Sequence, residues 1–329
     1  MADTRDPSEL LAAARGGDRG ALARMLSMVE RGGEKARSVG RVTYPLGGTA
    51  YTVGLTGAPG AGKSTLTGRL ITEVRAGGDA VAVLAIDPSS PFSGGAILGD
   101  RVRMDEHTLD DGVFIRSMAT RGHLGGLALA APEAVRALDA AGFPWVFIET
   151  VGVGQVELEV ATTADTTVVV VNPGWGDAVQ AAKAGLLEIA DVFVINKADR
   201  PGAAEAQRDL EHVLALSTGP AERWQAPIVR TVATADGGGN SDGSGAGEVF
   251  AAVRAHRAWL SSGGRLEAKR ATRIDDELEA ILVARLRARV RATGVDEARA
   301  HLHSEVAARR LDPWSAADEL LAAITMSDQ

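Results

Sequence analysis

The sequence predicts an α/β protein: a doubly wound, mostly parallel sheet with helical extensions at both ends. Three observations predict it. Short apolar runs alternate with helical patterns from Val42 to about Ser261. The runs TTVVVV (166–171) and VFVIN (192–196) are apolar on both faces rather than alternately, as strands must be when helices cover both sides of a sheet. A glycine-rich turn, GAPGAGKS (57–64), joins one such strand to a helical pattern.

The 329 residues, 45% of them apolar, suffice for one sizeable α/β domain plus an accessory element. Residues 8–31, SELLAAARGGDRGALARMLSMVER, show apolar positions at helical spacing interrupted at Gly16 and Gly17, which predicts two short helices. Strands are expected near 51–56, 80–87, 113–116, 145–149, 166–172, 191–196 and 227–232. Residues 236–247, DGGGNSDGSGAG, read as a solvated connection before a helix beginning near Glu248. Beyond Gly263 and Gly264, the charge-laced periodic segment RLEAKRATRIDDELEAILVARLRARVRATG and a shorter helix around 315–324 read as a helical hairpin. The expected organisation is therefore an N-terminal helical extension over 1–45, the sheet domain over 46–262 and a C-terminal helical arm over 263–329.

Composition removes several function classes. The absence of cysteine excludes disulfides, a thiolate nucleophile and cysteine-based metal sites, and suits a reducing cytoplasm. With a net charge of −8 and charges of both signs scattered along the chain, neither nucleic acid nor an anionic membrane is an expected partner. The N-terminus carries acids without a long apolar segment, so it does not read as a secretory signal, and no run approaches the ~18 apolar residues of a membrane span.

GAPGAGKS fits GxxxxGK(S/T) and lies where that motif has a mechanism, after a buried strand and at the start of a helix near Lys63. This makes the sheet domain a P-loop NTPase domain. The glycines of the loop Gly57, Ala58, Pro59, Gly60, Ala61 and Gly62 let the backbone N–H groups of its non-proline residues turn inward around a polyphosphate, and the helix starting at Lys63, Ser64 and Thr65 adds its positive end. Lys63 is placed to reach the β and γ phosphates, and the Ser64 hydroxyl to ligate Mg²⁺, a hard cation that takes oxygen.

The base is read further along. NKAD, Asn196 to Asp199, follows a buried strand, and the Asp199 carboxylate there can accept from both the ring N–H and the exocyclic amine of guanine. Adenine offers no such donor pair and would leave the carboxylate unpaired, so guanine nucleotides, GTP and GDP, are the expected ligands. Lys197 is expected to lie along base and ribose with its stem. TVAT (231–234) ends the next strand, where amides of Val232, Ala233 and Thr234 can meet the guanine carbonyl oxygen.

Asp87 follows a buried strand, and Glu149 ends another with Gly152 three residues on, so ETVG has the form of an acid-x-x-Gly switch that senses a γ-phosphate through a backbone amide. DPSSPFSGGAILGDRVRM (87–104), SMATRGHLGGLA (117–128), ETVGVGQVE (149–157) and NPGWGDAVQAAKAG (172–185) stand between the phosphate loop and NKAD. Together these motifs resemble the P-loop GTPases of the MeaB, ArgK and MMAA group, chaperones of the adenosylcobalamin enzyme methylmalonyl-CoA mutase. The resemblance runs from about Val42 to Ser261 and is looser in the flanking helices.

The resemblance implies that Asp87, Asp100 and Glu149 are the acids that hold Mg²⁺ and its waters, some of them indirectly, since such an ion on phosphates needs one or two direct carboxylates. It also implies that 172–185 is a third switch, with Lys183 stabilising transition-state charge once a partner orders the loop. Asp177, Gln180 and Lys183 recur at three-residue spacing, which puts them on one helix face. Ala178 and Val156 depart from the family pattern, where an acid and a small polar residue are common. Arg121 and His123 read equally as a structural turn or as residues that link the switches or contact the partner. The remaining histidines show no metal-ligand pattern, and the lack of cysteine separates the chain from nickel-loading GTPases. A stripe of Leu278, Ile281, Leu282 and Leu286 in the C-terminal arm predicts a homodimer, or else a fold-back onto the chain's own domain. Two rival readings are a lysine/arginine/ornithine transport system kinase, an older description of the family, and a nucleotide-sensing scaffold with incidental hydrolysis. A kinase acting on a protein hydroxyl should prefer ATP and carry a positioned base, and no HRD-like loop is present.

Overall fold

A computed structural model describes residues 6–88, 106–120, 126–150, 163–174, 188–216, 223–234, 243–292 and 296–327. The chain divides into two compact units, Met1–Arg121 with Ala130–Arg273, and Gly122–Leu129 with Ile274–Gln329.

In the first unit the strands are β1 Tyr51–Gly57, β2 Val81–Pro88, β3 Val113–Thr120, β4 Trp145–Thr150, β5 Thr166–Val171, β6 Val192–Ile195 and β7 Ile228–Arg230. All seven are parallel, in the order β3-β2-β4-β1-β5-β6-β7. From β1 the chain builds outward on one side through β2 and β3, returns to insert β4, and then builds the other side from β5. β1 therefore lies where the direction of winding reverses, and the carboxyl ends of β1 and β4 flank that crevice, the place where open α/β sheets bind ligands. β7 is shorter than the 227–232 run suggested. It is an edge strand with one neighbour, and past Arg230 the backbone is drawn into other bonds, Val232 N–H donating to the Ser244 carbonyl at 2.9 Å.

The helices of this unit are α1 Pro7–Arg15, α2 Arg19–Arg31, α3 Gly33–Thr43, α4 Lys63–Ala76, α5 Gly126–Ala141, which begins in the other unit, α6 Ala203–Leu216 and α7 Ala246–Ser261. One core packs Tyr51, Val53 and Leu55 of β1 against Leu66, Leu70 and Ile71 of α4 and Val249, Val253 and Leu260 of α7. A second packs Val169, Val171, Phe193 and Ile195 against Ala203 and Leu210 of α6. Alternate side chains of β5 and β6 thus enter different cores, which is why these strands are apolar at every position. Trp145 at the start of β4 is 3% exposed, and its indole N–H donates to Asp79 Oδ2 at 3.0 Å.

Two differences from the sequence reading concern helices. The N-terminal region holds three helices rather than two: α3 forms despite Gly40 and β-branched residues because it buries Ala36, Val39 and Thr43. The C-terminal arm likewise holds three, α8 Arg265–Ala292, α9 Asp296–Ala307 and α10 Pro313–Ser327, instead of a hairpin of two. α9 carries no apolar stripe to announce it. Just past it Arg310 grips Glu305 through two bonds of 2.8 and 2.7 Å, and Asp312 caps α10 by accepting from Trp314 and Ser315 amides. On α8, Leu278, Leu282 and Leu286 remain 60%, 58% and 53% exposed, while Ile281 is half-buried.

The amino edge of the sheet is closed by charge. Asp165, fully buried ahead of β5, accepts from the Thr52 amide at 3.0 Å, from Arg270 Nη2 at 2.7 Å and from Arg273 Nη1 at 3.0 Å. Burial alone would raise its carboxyl, but the hydrogen bond from Arg270 and the two guanidinium charges hold it below the ordinary carboxylate range. Lys269 adds bonds to the Asp165 carbonyl at 2.8 Å and to Asp191 Oδ2 at 3.3 Å. The first turns of α8 are thereby tied to the ends of β5 and β6. Beside them His256 of α7 is 1% exposed, its ring against Trp224 and Trp259, with Nδ1 at 2.8 Å from Thr166 Oγ1 and Nε2 at 3.4 Å from Asp191. Burial pushes this imidazole down to about 4, against the opposing pull of Asp191.

A histidine whose folded-state value is depressed contributes stability above its unfolded value of about 6.5, and that contribution is lost as pH falls toward 4. Chemical denaturation at stepped pH should show unfolding free energy falling by about 3 kcal/mol over that window, with Asp165 extending the loss below its ordinary carboxylate value. A His256→Asn variant should flatten the slope between pH 6.5 and 4; an unchanged slope rules out His256 as its source.

Candidate nucleotide-binding site

β1 runs straight into the glycine-rich turn, and two glycines there are dictated by close approach. Gly57 has φ 129°, and a Cβ on it would stand 2.0 Å from the Val170 carbonyl oxygen of β5. Gly62 has φ 92°, and its Cβ would stand 2.3 Å from Asn196 Nδ2. No other L-residue fits these positions without moving backbone or the asparagine. Between them Ala58 is half-buried, Pro59 and Gly60 are exposed, and Ala61 is buried with its N–H on the Ala58 carbonyl at 3.1 Å.

Lys63, Ser64 and Thr65 open α4, as the sequence required, with Lys63 and Ser64 buried and Thr65 half-buried. The Lys63 ammonium turns back over the loop and donates to the Gly57 and Ala58 carbonyls at 2.7 and 3.1 Å. Ser64 Oγ donates to Glu149 Oε1 at 2.5 Å, and Glu149, on β4, is 2% exposed. Thr67, one turn along α4 and fully buried, sets its hydroxyl 3.0 Å from Glu149 Oε2 and 3.0 Å from the Lys63 carbonyl. Two hydroxyls of one helix therefore hold a single carboxylate beside the phosphate loop. A set of hard oxygen donors at the start of a helix has the chemistry a divalent cation such as Mg²⁺ takes.

The base side is organised around Asn196. Its Nδ2 donates to the Ala61 carbonyl at 2.8 Å, and its Oδ1 accepts from Thr231 Oγ1 at 3.0 Å and from the Ala233 amide at 3.1 Å. Lys197 adopts φ 57° and its ammonium donates to the Gly60 carbonyl at 2.6 Å, so its stem crosses from the β6 end to the loop. The Ala198 amide donates to the Thr231 carbonyl at 3.0 Å, and Asp199 is exposed on the turn that follows. In the next turn the amides of Val232 and Ala233, expected to face the base, are engaged with the Ser244 carbonyl and Asn196, and Thr234 is exposed.

Sequence reasoning thus named residues that the structure brings together from four places: the loop and first turn of α4, Glu149 on β4, Asn196 to Asp199 after β6, and Val232 to Thr234 after β7. The backbone of Asp87 lies at the carboxyl end of β2, paired with Ala119; its side chain, and the whole of Asp100, Gly152 and Lys183, lie outside the described residues. So do Arg121, His123, Val156, Asp177, Ala178 and Gln180. Three contributors were missed. Thr67 lies one turn beyond the motif, and only its spacing from Ser64 on the same helix could have signalled it. Arg69 donates from α4 to the Ala233 carbonyl at 3.1 Å. Ser244 belongs to the stretch read as a solvated connection, yet it is buried, and a Cβ on Gly245 beside it would stand 2.5 Å from the Arg230 carbonyl. Among the described residues no group of three His, Asp or Glu side chains is placed to hold a metal ion.

Comparison with known proteins gives this geometry a context. A family model described as methylmalonyl Co-A mutase-associated GTPase MeaB matches residues 22–295. A putative GTPase of Pyrococcus abyssi is 49% identical, covering 95% of this chain and 95% of its own. The mitochondrial methylmalonic aciduria type A homolog of Mus musculus is 39% identical over 68% of this chain and 52% of its own. A solved structure of a LAO/AO transport system kinase superposes with a TM-score of 0.73 at 26% identity, covering 99% of both chains.

Replacing Asn196 by Ala strands the Ala61 carbonyl, the Thr231 hydroxyl and the Ala233 amide together. Calorimetric titration with GDP should show affinity at least about tenfold weaker, with unfolding free energy lower by about 2 kcal/mol. Wild-type affinity in that variant would mean the two sides of the site do not depend on this bridge.

Proposed function

The chain belongs to the methylmalonyl Co-A mutase-associated GTPase MeaB family, a GTPase that binds guanine nucleotide, and from that premise we propose that it is a Mg²⁺-dependent switch serving as chaperone to an adenosylcobalamin-dependent mutase, with methylmalonyl-CoA mutase the expected partner. In this reading the nucleotide state gates loading or protection of the mutase's cofactor. The observation that carries it is the match of residues 22–295 to a family described by that mutase association.

The chain's own residues take the following parts. The ammonium of Lys63 exchanges the Gly57 and Ala58 carbonyls for β and γ phosphate oxygens, while the non-proline amides between Gly57 and Thr65 and the start of α4 receive the remaining charge. Asp199 selects guanine through its ring N–H and amine, Lys197 lines base and ribose, and the turn of Val232, Ala233 and Thr234 meets the carbonyl oxygen of the base. Ser64 and Glu149, with Asp87 and Asp100, would hold Mg²⁺; the ion when bound neutralises charge on the β and γ phosphates. The buried pairing of Ser64 with Glu149 supports that assignment. Lys183, Glu149 and Asp87 form the catalytic set, Lys183 stabilising transition-state charge and the acids orienting the attacking water's surroundings. Gly152 senses the γ-phosphate through its amide, so that its segment and the 172–185 segment present different surfaces before and after hydrolysis.

The partner that prefers one nucleotide state must, reciprocally, tighten the binding of that nucleotide. A homodimer through α8 is part of the proposal, supported by the exposure of Leu278, Leu282 and Leu286. Cytoplasmic location is proposed as well: the chain has no cysteine, and among the described residues no helix is long and apolar enough to cross a membrane. The description of the superposed structure as a transport system kinase favours a second reading, in which a protein hydroxyl replaces water as the acceptor. That reading requires ATP as donor.

Turnover of GTP against ATP on the purified protein separates the two readings; the first expects GTP to be preferred by orders of magnitude. Asp199→Asn should move the preference from guanine toward xanthine nucleotides, and a retained guanine preference removes Asp199 as the reader of the base. Lys183→Ala should leave GTP affinity intact and lower mutase-stimulated turnover by about 100-fold; unaltered stimulation would support the scaffold view instead.

A further inference from the structure

Arg69 stands two turns into the phosphate-binding helix α4, yet its Nε donates to a carbonyl on the base side of the site, that of Ala233, at 3.1 Å. The surrounding backbone is almost fully committed. The Thr231 amide donates to the Ile195 carbonyl at 2.9 Å, the Val232 amide to the Ser244 carbonyl at 2.9 Å, and the Ala233 amide to Asn196 Oδ1 at 3.1 Å. The Thr234 amide has no acceptor among the described residues, and Thr234 is exposed.

The Ala233 carbonyl and the Thr234 amide belong to one peptide unit. That unit is planar and trans, so the carbonyl and the N–H point in opposite directions, and fixing one fixes the other. Arg69 holds the carbonyl, and Asn196 holds the amide on the preceding side of the same residue, so the plane between Ala233 and Thr234 is gripped at both approaches. The turn is in turn attached to the Asp199 turn, because the Ala198 amide donates to the Thr231 carbonyl at 3.0 Å. A donor aimed in this way matches a carbonyl acceptor on a purine.

We propose that Arg69 is a positioning residue for guanine selection: by holding the Ala233 carbonyl it aims the Thr234 amide at the oxygen on C6 of the base. The inference rests on the reading in which Asp199 and the 231–234 turn take the base, and adds a determinant outside both motifs. It also divides the work of the TVAT turn. Val232 and Ala233 hold the turn together, and the Thr234 amide alone is offered to the base. A guanidinium suits the task because its planar fork keeps direction where a flexible ammonium does not.

The test is a cycle between a side chain and one atom of the ligand. GDP and 6-thio-GDP differ at C6, where sulfur is the weaker hydrogen-bond acceptor, while the amine and ring N–H that face Asp199 are the same. Calorimetric titration of the full-length protein should show GDP preferred by about fivefold, the worth of one good hydrogen bond. In Arg69→Met, which keeps the aliphatic stem, GDP affinity should fall by a similar factor and the preference over 6-thio-GDP should shrink to about twofold or less. Equal losses for both nucleotides would overturn the proposal, because a merely structural arginine weakens them alike. Should Arg69→Met fail to fold, the same two titrations on Arg69→Lys carry the test, with a partly narrowed preference expected and an unaltered one overturning it. ADP bound by the wild type as tightly as GDP would instead sink the base reading itself.

Discussion

The two halves of the nucleotide site depend on one amide side chain. Asn196 bonds the Ala61 carbonyl of the phosphate loop with its nitrogen and the Thr231 hydroxyl and Ala233 amide of the base-side turn with its oxygen. It is 2% exposed, so each of those bonds forms where an unmet partner would be costly. The close packing is mutual. Gly62 must lack a side chain because Asn196 Nδ2 occupies the space, and Gly57 must lack one because the β5 backbone does. A loop shaped by such contacts is organised by the protein before any ligand arrives, which lowers the ordering cost of binding.

That organisation needs a rigid sheet beneath it, and the opposite edge supplies part of the rigidity. Asp165 draws the Thr52 amide at the start of β1 and the Arg270 and Arg273 guanidiniums of α8 onto a single buried carboxylate. Arg270 also donates to the Gly48 and Ala50 carbonyls, so the segment leading into β1 is held as well. Removing one partner from such a buried cluster leaves an uncompensated charge, which is why these contacts act as one unit. The sequence offered no clue to this, because three basic residues at the start of a charged helix look like a solvated face until the acid they surround is known to be buried.

Legibility followed the physics of range. The strands were readable because burial on both faces leaves a continuous apolar run, and the phosphate loop because backbone shape, a lysine and a hydroxyl must stand in fixed order. The place of Asn196 at the end of β6 was readable for the same reason. Helix α3 was hidden by its glycines, since tertiary burial of Ala36, Val39 and Thr43 outweighs local propensity. Thr67 and Arg69 were hidden because their roles depend on partners 82 and 164 residues away in the chain. The linker reading of 236–247 failed at its end, where Ser244 and Gly245 close against β7. Composition describes solvation but cannot see that the Val232 amide, 12 residues upstream, needs the Ser244 carbonyl as its acceptor.

The groups proposed to meet a triphosphate are held by hydrogen bonds within the protein. Lys63 is held by the Gly57 and Ala58 carbonyls, Lys197 by the Gly60 carbonyl, and Ser64 by Glu149. Binding is therefore an exchange of hydrogen bonds, and its net gain is the difference between two well-made sets rather than the strength of either. Such an arrangement suits a switch. If every donor waited unpaired, a buried cation such as Lys63 would be strongly destabilising, and the first polyphosphate to enter would be held too tightly to leave. Ser64 commits only its proton to Glu149 and keeps its lone pairs for another partner, and because Glu149 lies near the end of β4 as the acid of the proposed acid-x-x-Gly switch, a change in bonding at the phosphate loop would reach that switch through a single buried carboxylate.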